Sequence, residues 1–570
     1  MKLSRTIVLI LSSALFLTAC NKEAEEAAVA VKENTNPLLA YVPADTAYIY
    51  ADLEQVPEAI TDAYVTRFQP ALDVLTKKIN EFQAEYQAGD HEGEPAARLA
   101  SAVLDELGGS LSEENLNRIG ISTRAHYAFY AEGVFPVIRL ELADAQALRG
   151  AIGRIEAKMG VELPATEFNG STYWRLAEGD TPVGIYITID DSQLALGVLP
   201  VNAEASLLPV FLGQQMPAQS LASNNALGVM NHAKGYTGYG SGYLDLQKIV
   251  NEILDPGSDS RGMLGDDLNT ELDTLDAVCV DEMKSIVAKT PRMTTGITRL
   301  TANEMAMRYD LEIESSLASG LAALVSDIPA ASPGDYLLSA SLALKVGKLR
   351  EFVLEKATAL AADPYQCSKL QDLNDEAEKL VSQLNVPMPP MVNNLLGLRI
   401  MINDYDPSRS LTGGDGLLAV HVDKPEMFVG MASMLVPGFE NLDLANQKEP
   451  VRIPAEMTHL DVEDVYALMG KSAIGIAVGE QHLNELKPFM NAAPQSDGTL
   501  LSVSNNLAKQ MQMEAALTSQ FQSDADQEYT PVQDFSEAMK QVYTDMLGQS
   551  RVDVRLTPDG LHIDSSMTFK

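Results

Sequence analysis

The strongest constraint in this sequence is internal: the order of features in the first half recurs in the second. Pro43-Ala44-Asp45 opens an apolar run to Leu53, followed by the helix-like VPEAI. Pro333-Gly334-Asp335 opens another to Leu342, followed by VGKLREFV, at an offset of 290. In the middle, Leu140, Leu142, Leu148 and Gly150 correspond to Val420, Val422, Phe428 and Gly430 at an offset of 280. Asp191 to Leu196 then runs without a gap onto Lys471 to Ile476. Near the ends, Met283-Lys284 matches Met539-Lys540 and Arg299 to Met305 matches Arg555 to Leu561, both at 256. Correspondences in one order imply a tandem duplication, with repeats over residues 37–318 and 331–570. The competing reading is one large α+β domain with coincidental likenesses. Cys279 falls opposite Phe535, so the cysteines are not a repeated feature.

Within each repeat, short alternating runs read as strands and longer amphipathic runs as helices. In the first, strands are expected over 48–53, 126–132, 135–142, 172–176, 184–189, 193–198, 235–244, 296–300 and 305–313. Helices are expected over 70–87, 96–107, 145–158 and 281–289. Short connections such as Asp190-Asp191-Ser192 make neighbours antiparallel. The fold class is α+β: in each repeat a mainly antiparallel, curved sheet with helices on one face. The Gly-, Asp- and Ser-rich stretch 255–267 reads as a mobile loop.

The first nineteen residues have the parts of an export signal. Lys2 and Arg5 are followed by an apolar run from Ile7 to Leu17, shorter than the roughly 20 residues a spanning helix needs. The segment ends Leu17-Thr18-Ala19-Cys20, which resembles the lipobox of bacterial lipoproteins. That resemblance implies diacylation of the Cys20 thiol, cleavage before it and acylation of the new amino terminus, giving a stable anchor. The competing reading is an ordinary cleaved signal. Asn21, where an aspartate would retain the product at the inner membrane, implies the outer membrane and its periplasmic face, with surface exposure left open. Residues 20–36, polar and rich in Ala and Glu, read as a lipidated tether. The Pro-Ala-Asp-Thr start near Pro43 resembles a family of uncharacterised bacterial exported proteins. That likeness carries no catalytic or binding residues.

A net charge of −38 over 570 residues repels phosphate backbones and anionic head groups, which argues against a nucleic-acid partner. The hydrophobic fraction of 46% with 21% charged residues is that of a folded globular protein. Besides Cys20 there are only Cys279 and Cys367. In an oxidising periplasm two thiols suggest one disulfide, but sequence alone does not place their Cα atoms within bridging distance.

No catalytic motif emerges. None of the seven histidines, His91, His126, His232, His421, His459, His482 and His562, sits at metal-ligand spacing. Gly238 to Gly242 fails as a nucleophile elbow, which needs glycine two residues before Ser241 where Tyr239 stands, and reads as close backbone packing beside tyrosines. Gly413 to Gly416 reads as a tight turn, and Asn403 to Asp406 lacks the glycine and glutamate of a calcium loop. No cofactor or metal is expected. The leading expectation is a non-enzymatic binding or scaffolding module, anchored to a membrane by lipid and meeting an envelope protein. A carrier of lipid or another apolar ligand is the alternative, motivated by apolar helix faces and 23 methionines. A hydrolase with an unrecognised site is the third. The single tryptophan, Trp174, argues against a carbohydrate-stacking groove.

Overall fold

The computed structural model describes residues 34–88, 102–103, 105–107, 110–160, 163–176, 181–201, 204–264, 266–387, 389–405, 413–458, 464–521 and 531–570. The chain is a mixed α/β protein built on curved, unclosed antiparallel sheet. It divides into two compact units. The first comprises Met1–Leu275, Pro291–Arg308 and Tyr529–Met546, and the second Asp276–Thr290, Tyr309–Glu528 and Leu547–Lys570.

In the first unit the strands are β1 (Tyr48–Ala51), β2 (Tyr127–Glu132), β3 (Phe135–Glu141), β4 (Ala165–Phe168), β5 (Ser171–Leu176), β6 (Val183–Ile189), β7 (Gln193–Pro200), β8 (Ser241–Asp245) and β9 (Arg292–Thr301). They pair in the order β4-β5-β6-β7-β3-β2-β1-β8-β9. β10 (Glu304–Glu312) forms a hairpin with β9. The second unit holds β11 (Leu338–Ala343), β12 (Leu395–Tyr405), β13 (Gly414–Val422), β14 (Val451–Arg452), β15 (Val465–Met469), β16 (Ala473–Val478), β17 (Thr499–Asn506), β18 (Leu547–Thr557) and β19 (Gly560–Phe569). Their order is β14-β15-β16-β13-β12-β11-β17-β18-β19.

Local chemistry sets these elements. Asp144 caps the helix Ala145–Met159 by accepting the Gln146 and Ala147 N–H groups, and Gly160, at φ 66°, ends it in the left-handed conformation. Asp245 accepts the Lys248 N–H at the start of the helix Leu246–Leu254, and the Lys248 ammonium reaches back 2.8 Å to Asp45. In the second unit Asn506 accepts the Lys509 N–H, and Lys509 Nζ reaches the Asp335 carbonyl at 2.7 Å. Each turn that opens with Pro and Asp is thus held by the third residue of a later helix.

Most strands fall where alternation puts them; the departures have local causes. The run 235–244 becomes a strand only at Ser241, because the helix Ala226–Lys234 ends on Gly235 at φ 71°. The helix expected from Pro70 begins at Glu58 and carries Pro70 inside it. Ser258 caps the short helix Asp259–Met263, whose Arg261 is bonded to Asn269 and Asp273. Gly414 to Gly416 is strand rather than turn. A Cβ on Gly416 would lie 1.9 Å from the Met401 carbonyl oxygen, so only glycine lets β12 and β13 approach there. Most of the helix expected over 96–107 lies outside the described residues. The expected tether ends two residues early: Thr35 bonds Leu53, and the buried Asn36 side chain bonds Asp52 and Tyr127.

The units are not continuous halves. Against boundaries at 37–318 and 331–570, Asp276–Thr290 belongs to the second unit and Tyr529–Met546 to the first. The helix Ala277–Val287 is held there by a bond between Cys279 and Cys367, with Cα atoms 4.6 Å apart. Its Glu282 also accepts the N–H groups of Gln366 and Cys367.

Candidate functional site

Antiparallel strands with one solvated face bury apolar residues and expose polar ones. The sheet of the second unit inverts this. On β11 and β17 the buried positions are Ser339, Ser341, Ala343, Thr499, Ser502 and Ser504, whereas Leu338, Leu342, Leu501 and Val503 are half-buried or exposed. On that face Ser339 accepts the Ser332 N–H and Ser502 the Arg551 guanidinium, while the helix Leu483–Met490 covers β13 and β16, with Leu486, Phe489 and Met490 in the core beside Ala419, Ala473 and Ala477.

The opposite face is an aliphatic ladder. Ile474, Val420, Leu398, Leu342, Leu501 and Val554 stand opposite one another on six neighbouring strands. The next rung reads Ile476, Leu418, Ile400, Ala340, Val503 and Val552. Six strands span about 24 Å across the sheet. No charged side chain interrupts either rung, and at its centre Leu342 and Leu398 are 38% and 41% exposed. A contiguous patch of this kind is the usual mark of an interaction surface.

The corresponding rung of the first unit keeps Leu140 and Leu194 but turns polar at its centre. Where strand order and pairing put Leu342 and Leu398, that unit has Asp52 and Tyr127. Asp52 is buried, accepts from Asn36 Nδ2 at 3.0 Å and the Tyr127 N–H at 2.9 Å, and is in short contact with His126 Nδ1. Burial pulls the His126 imidazole down, but the Asp52 hydrogen bond and charge, with Glu141 beyond, leave its pKa above the ordinary value. Tyr50 and Tyr127 lie over Gly240, whose Cβ would meet both hydroxyls at about 3 Å.

Other histidines take structural places. His421 is buried with Nε2 unpartnered, and burial with the Arg399 charge pushes its pKa down to about 4. His482 meets Asp415 and Glu485. His562 contacts Asp310 through Nδ1 and Thr557 Oγ1 through Nε2 at 2.9 Å. This hydroxyl–imidazole–carboxylate chain has the order of a nucleophilic triad. Thr557 Oγ1 also accepts the Asp559 N–H, closing the β18–β19 turn. Sequence reasoning missed this chain, because Asp310 is 252 positions from His562.

Cys20 and the export signal lie outside the described residues, as do His91, His459 and Asp406. Among the described residues no group of three or more His, Cys, Asp or Glu is placed to hold a metal ion, and no helix is long and apolar enough to cross a membrane. Comparisons with protein families, with curated proteins and with solved structures find no match.

Proposed function

We propose that the chain is a lipid-anchored cell-envelope protein, tethered through Cys20 to the periplasmic face of the outer membrane, that binds rather than transforms its ligand. The ligand is apolar, an acyl chain, taken up on the aliphatic ladder of the second unit. The observation that carries this reading is the inverted polarity of β11 and β17, with serines inside and leucines outward. A solvated face gains nothing from that pattern, whereas an acyl chain gains about 0.8 kcal/mol per buried CH₂. The net charge of −38 favours a neutral or zwitterionic lipid over an anionic one.

The chain is also read as a tandem duplicate. Support comes from the common strand order, from the Asp45–Lys248 and Asp335–Lys509 clasps, and from a buried arginine in each unit. Arg139 on β3, opposite Ala128, donates to the Phe211 carbonyl of the helix Glu204–Phe211. Arg399 on β12, opposite Ala419, donates to the Phe489 carbonyl of the helix Leu483–Met490. The cation has changed strands within one cross-strand pair and still meets the C-terminal turn of the same helix, where the helix dipole favours it.

The test uses full-length protein in membranes and a phosphatidylcholine whose acyl chain carries a photoreactive diazirine. Adducts in peptides covering β11, β12 and β17, lost in a Leu342→Asp/Leu398→Asp variant, are the expected result. Adducts confined to other segments would refute the ladder as the site. Unmodified Cys20 in the mature protein by mass spectrometry would refute the anchor.

A further inference from the structure

The first unit contains a cavity of about 430 Å³ whose wall includes the Arg139 guanidinium, Gln193, Thr188 and the only tryptophan, Trp174. Arg139 is 1% exposed, and among the described residues no carboxylate lies within ion-pair distance of it. It donates from Nε to the Tyr130 hydroxyl at 3.0 Å, from Nη1 to Gln193 Oε1 at 3.2 Å and from Nη2 to the Phe211 carbonyl at 2.8 Å. A guanidinium carries five donors. One N–H therefore remains on each terminal nitrogen, the pair that grips a carboxylate in bidentate fashion. The hydrogen-bond partners of Arg139 are neutral, and the carboxylate it feels, the buried Glu132, has its pKa pushed up to about 7 by burial, so the guanidinium charge is not fully balanced where it meets the cavity.

The matching place in the second unit is filled. Across the pairing Arg139–Ala195–Thr188 the second unit has Ala419–Gly475–Leu468, and Gln193 corresponds to Ala473. There Leu468, Met490 and Leu486 close the space, and a Cβ on Gly475 would lie 2.3 Å from the Met490 sulfur. One scaffold therefore has a packed core at these positions in one unit and hydrogen-bonding side chains around a cavity in the other. The rest of the lining limits the ligand. Arg149 is held by Asp191 and the Ile189 carbonyl, so Arg139 is the available cation. Asp190, bonded to Ser192 and Gln193, disfavours a dianion. Trp174, Ile189 and Leu212 offer apolar wall to a carbon body.

We propose that this cavity binds a small organic monocarboxylate, its carboxylate on Arg139 and its carbon skeleton against Trp174. The site is separate from the aliphatic ladder, and either assignment stands without the other.

Because Trp174 is the only tryptophan, its fluorescence reports this cavity in the intact protein. Titration with cyclohexanecarboxylate is expected to give a saturable change that phosphate and the neutral analogue cyclohexylmethanol do not. Arg139→Gln is expected to weaken binding about thirtyfold or more, the usual consequence of removing one partner of a buried charge pair. Since that variant also removes a buried guanidinium from the fold, Thr188→Leu, which copies Leu468, serves as the second arm. It should fold and lose the saturable response. No saturation with the carboxylate, an equal response to cyclohexylmethanol or phosphate, or unchanged affinity in Thr188→Leu would overturn the proposal.

Discussion

His421 gives the sharpest pH prediction. It lies on β13 between Gly397 and Ala473, is 3% exposed, and has no partner at Nε2. Burial and the nearby Arg399 charge depress its pKa from 6.5 to about 4. The unfolded chain thus takes up a proton near pH 6.5 and the folded chain only near pH 4. Stability from this group is fully present above pH 6.5 and is lost as pH falls toward 4, by about 3 kcal/mol in all. The perturbation is His421→Leu, which removes the titrating group and, at Nε2, sacrifices no hydrogen bond. Amide exchange of peptides covering 395–422, corrected for intrinsic rates, gives local opening free energies at pH 7.5, 6, 5 and 4.5. Other carboxylates titrate in both proteins and cancel in the difference. The variant should gain on the wild type by about 2 kcal/mol or more between pH 7.5 and 4.5. A difference constant to within about 0.5 kcal/mol across that range would refute the argument.

Other expectations follow from single contacts. Reducing the Cys279–Cys367 bond, which closes 88 residues of chain, should cost up to about 4–5 kcal/mol of unfolding free energy and speed amide exchange in the helix Ala277–Val287; equal exchange with and without reductant would contradict it. Gly242→Ala puts a Cβ 1.8 Å from the Ile49 carbonyl oxygen, so β1 and β8 must separate. A loss of about 3 kcal/mol or more is expected in the urea transition followed by Trp174 fluorescence. His126 works opposite to His421: its pKa is raised, so its contribution is fully present below about 6.5 and fades as pH rises through the folded value. His126→Gln should therefore flatten the alkaline loss of stability in exchange of peptides covering β1 and β2. Thr557 is read as a turn clasp, and a fluorophosphonate probe should leave it unlabelled; a covalent adduct at Thr557 would revive the hydrolase reading.

The strands were legible because alternation is a local signal. Tyr127–Glu132, Phe135–Glu141 and Val183–Ile189 lie within a residue or two of their expected bounds. Periodicity did not reveal which face of a strand is covered. Ser339, Ser341, Ser502 and Ser504 are buried, and two of them have partners that alternation does not supply, the Ser332 N–H for Ser339 and the Arg551 guanidinium for Ser502. The site residues were less legible still. Arg139 looks like one polar residue on an apolar strand. Its meaning depends on Tyr130, Gln193 and Phe211, up to 72 positions away. Cys279 and Cys367 were visible as a possible pair. That the helix carrying Cys279 clusters with the second unit is a tertiary fact that offsets between repeats do not contain.

The two units share one strand order and differ in what lines each face. In the first, the buried Asp52 and Tyr127 stand where the second has Leu342 and Leu398, and a cavity lies beside Arg139. In the second, the inward face is filled by Leu468, Leu486 and Met490, and the outward rung is aliphatic from Ile474 to Val554. A common scaffold relaxing without constraint would fill cavities and make outward rungs polar, since each change adds stability or solubility. The unfilled cavity and the unpolarised ladder are therefore the two places where stability or solubility has been forgone. Such departures from local self-consistency are where binding is expected to reside.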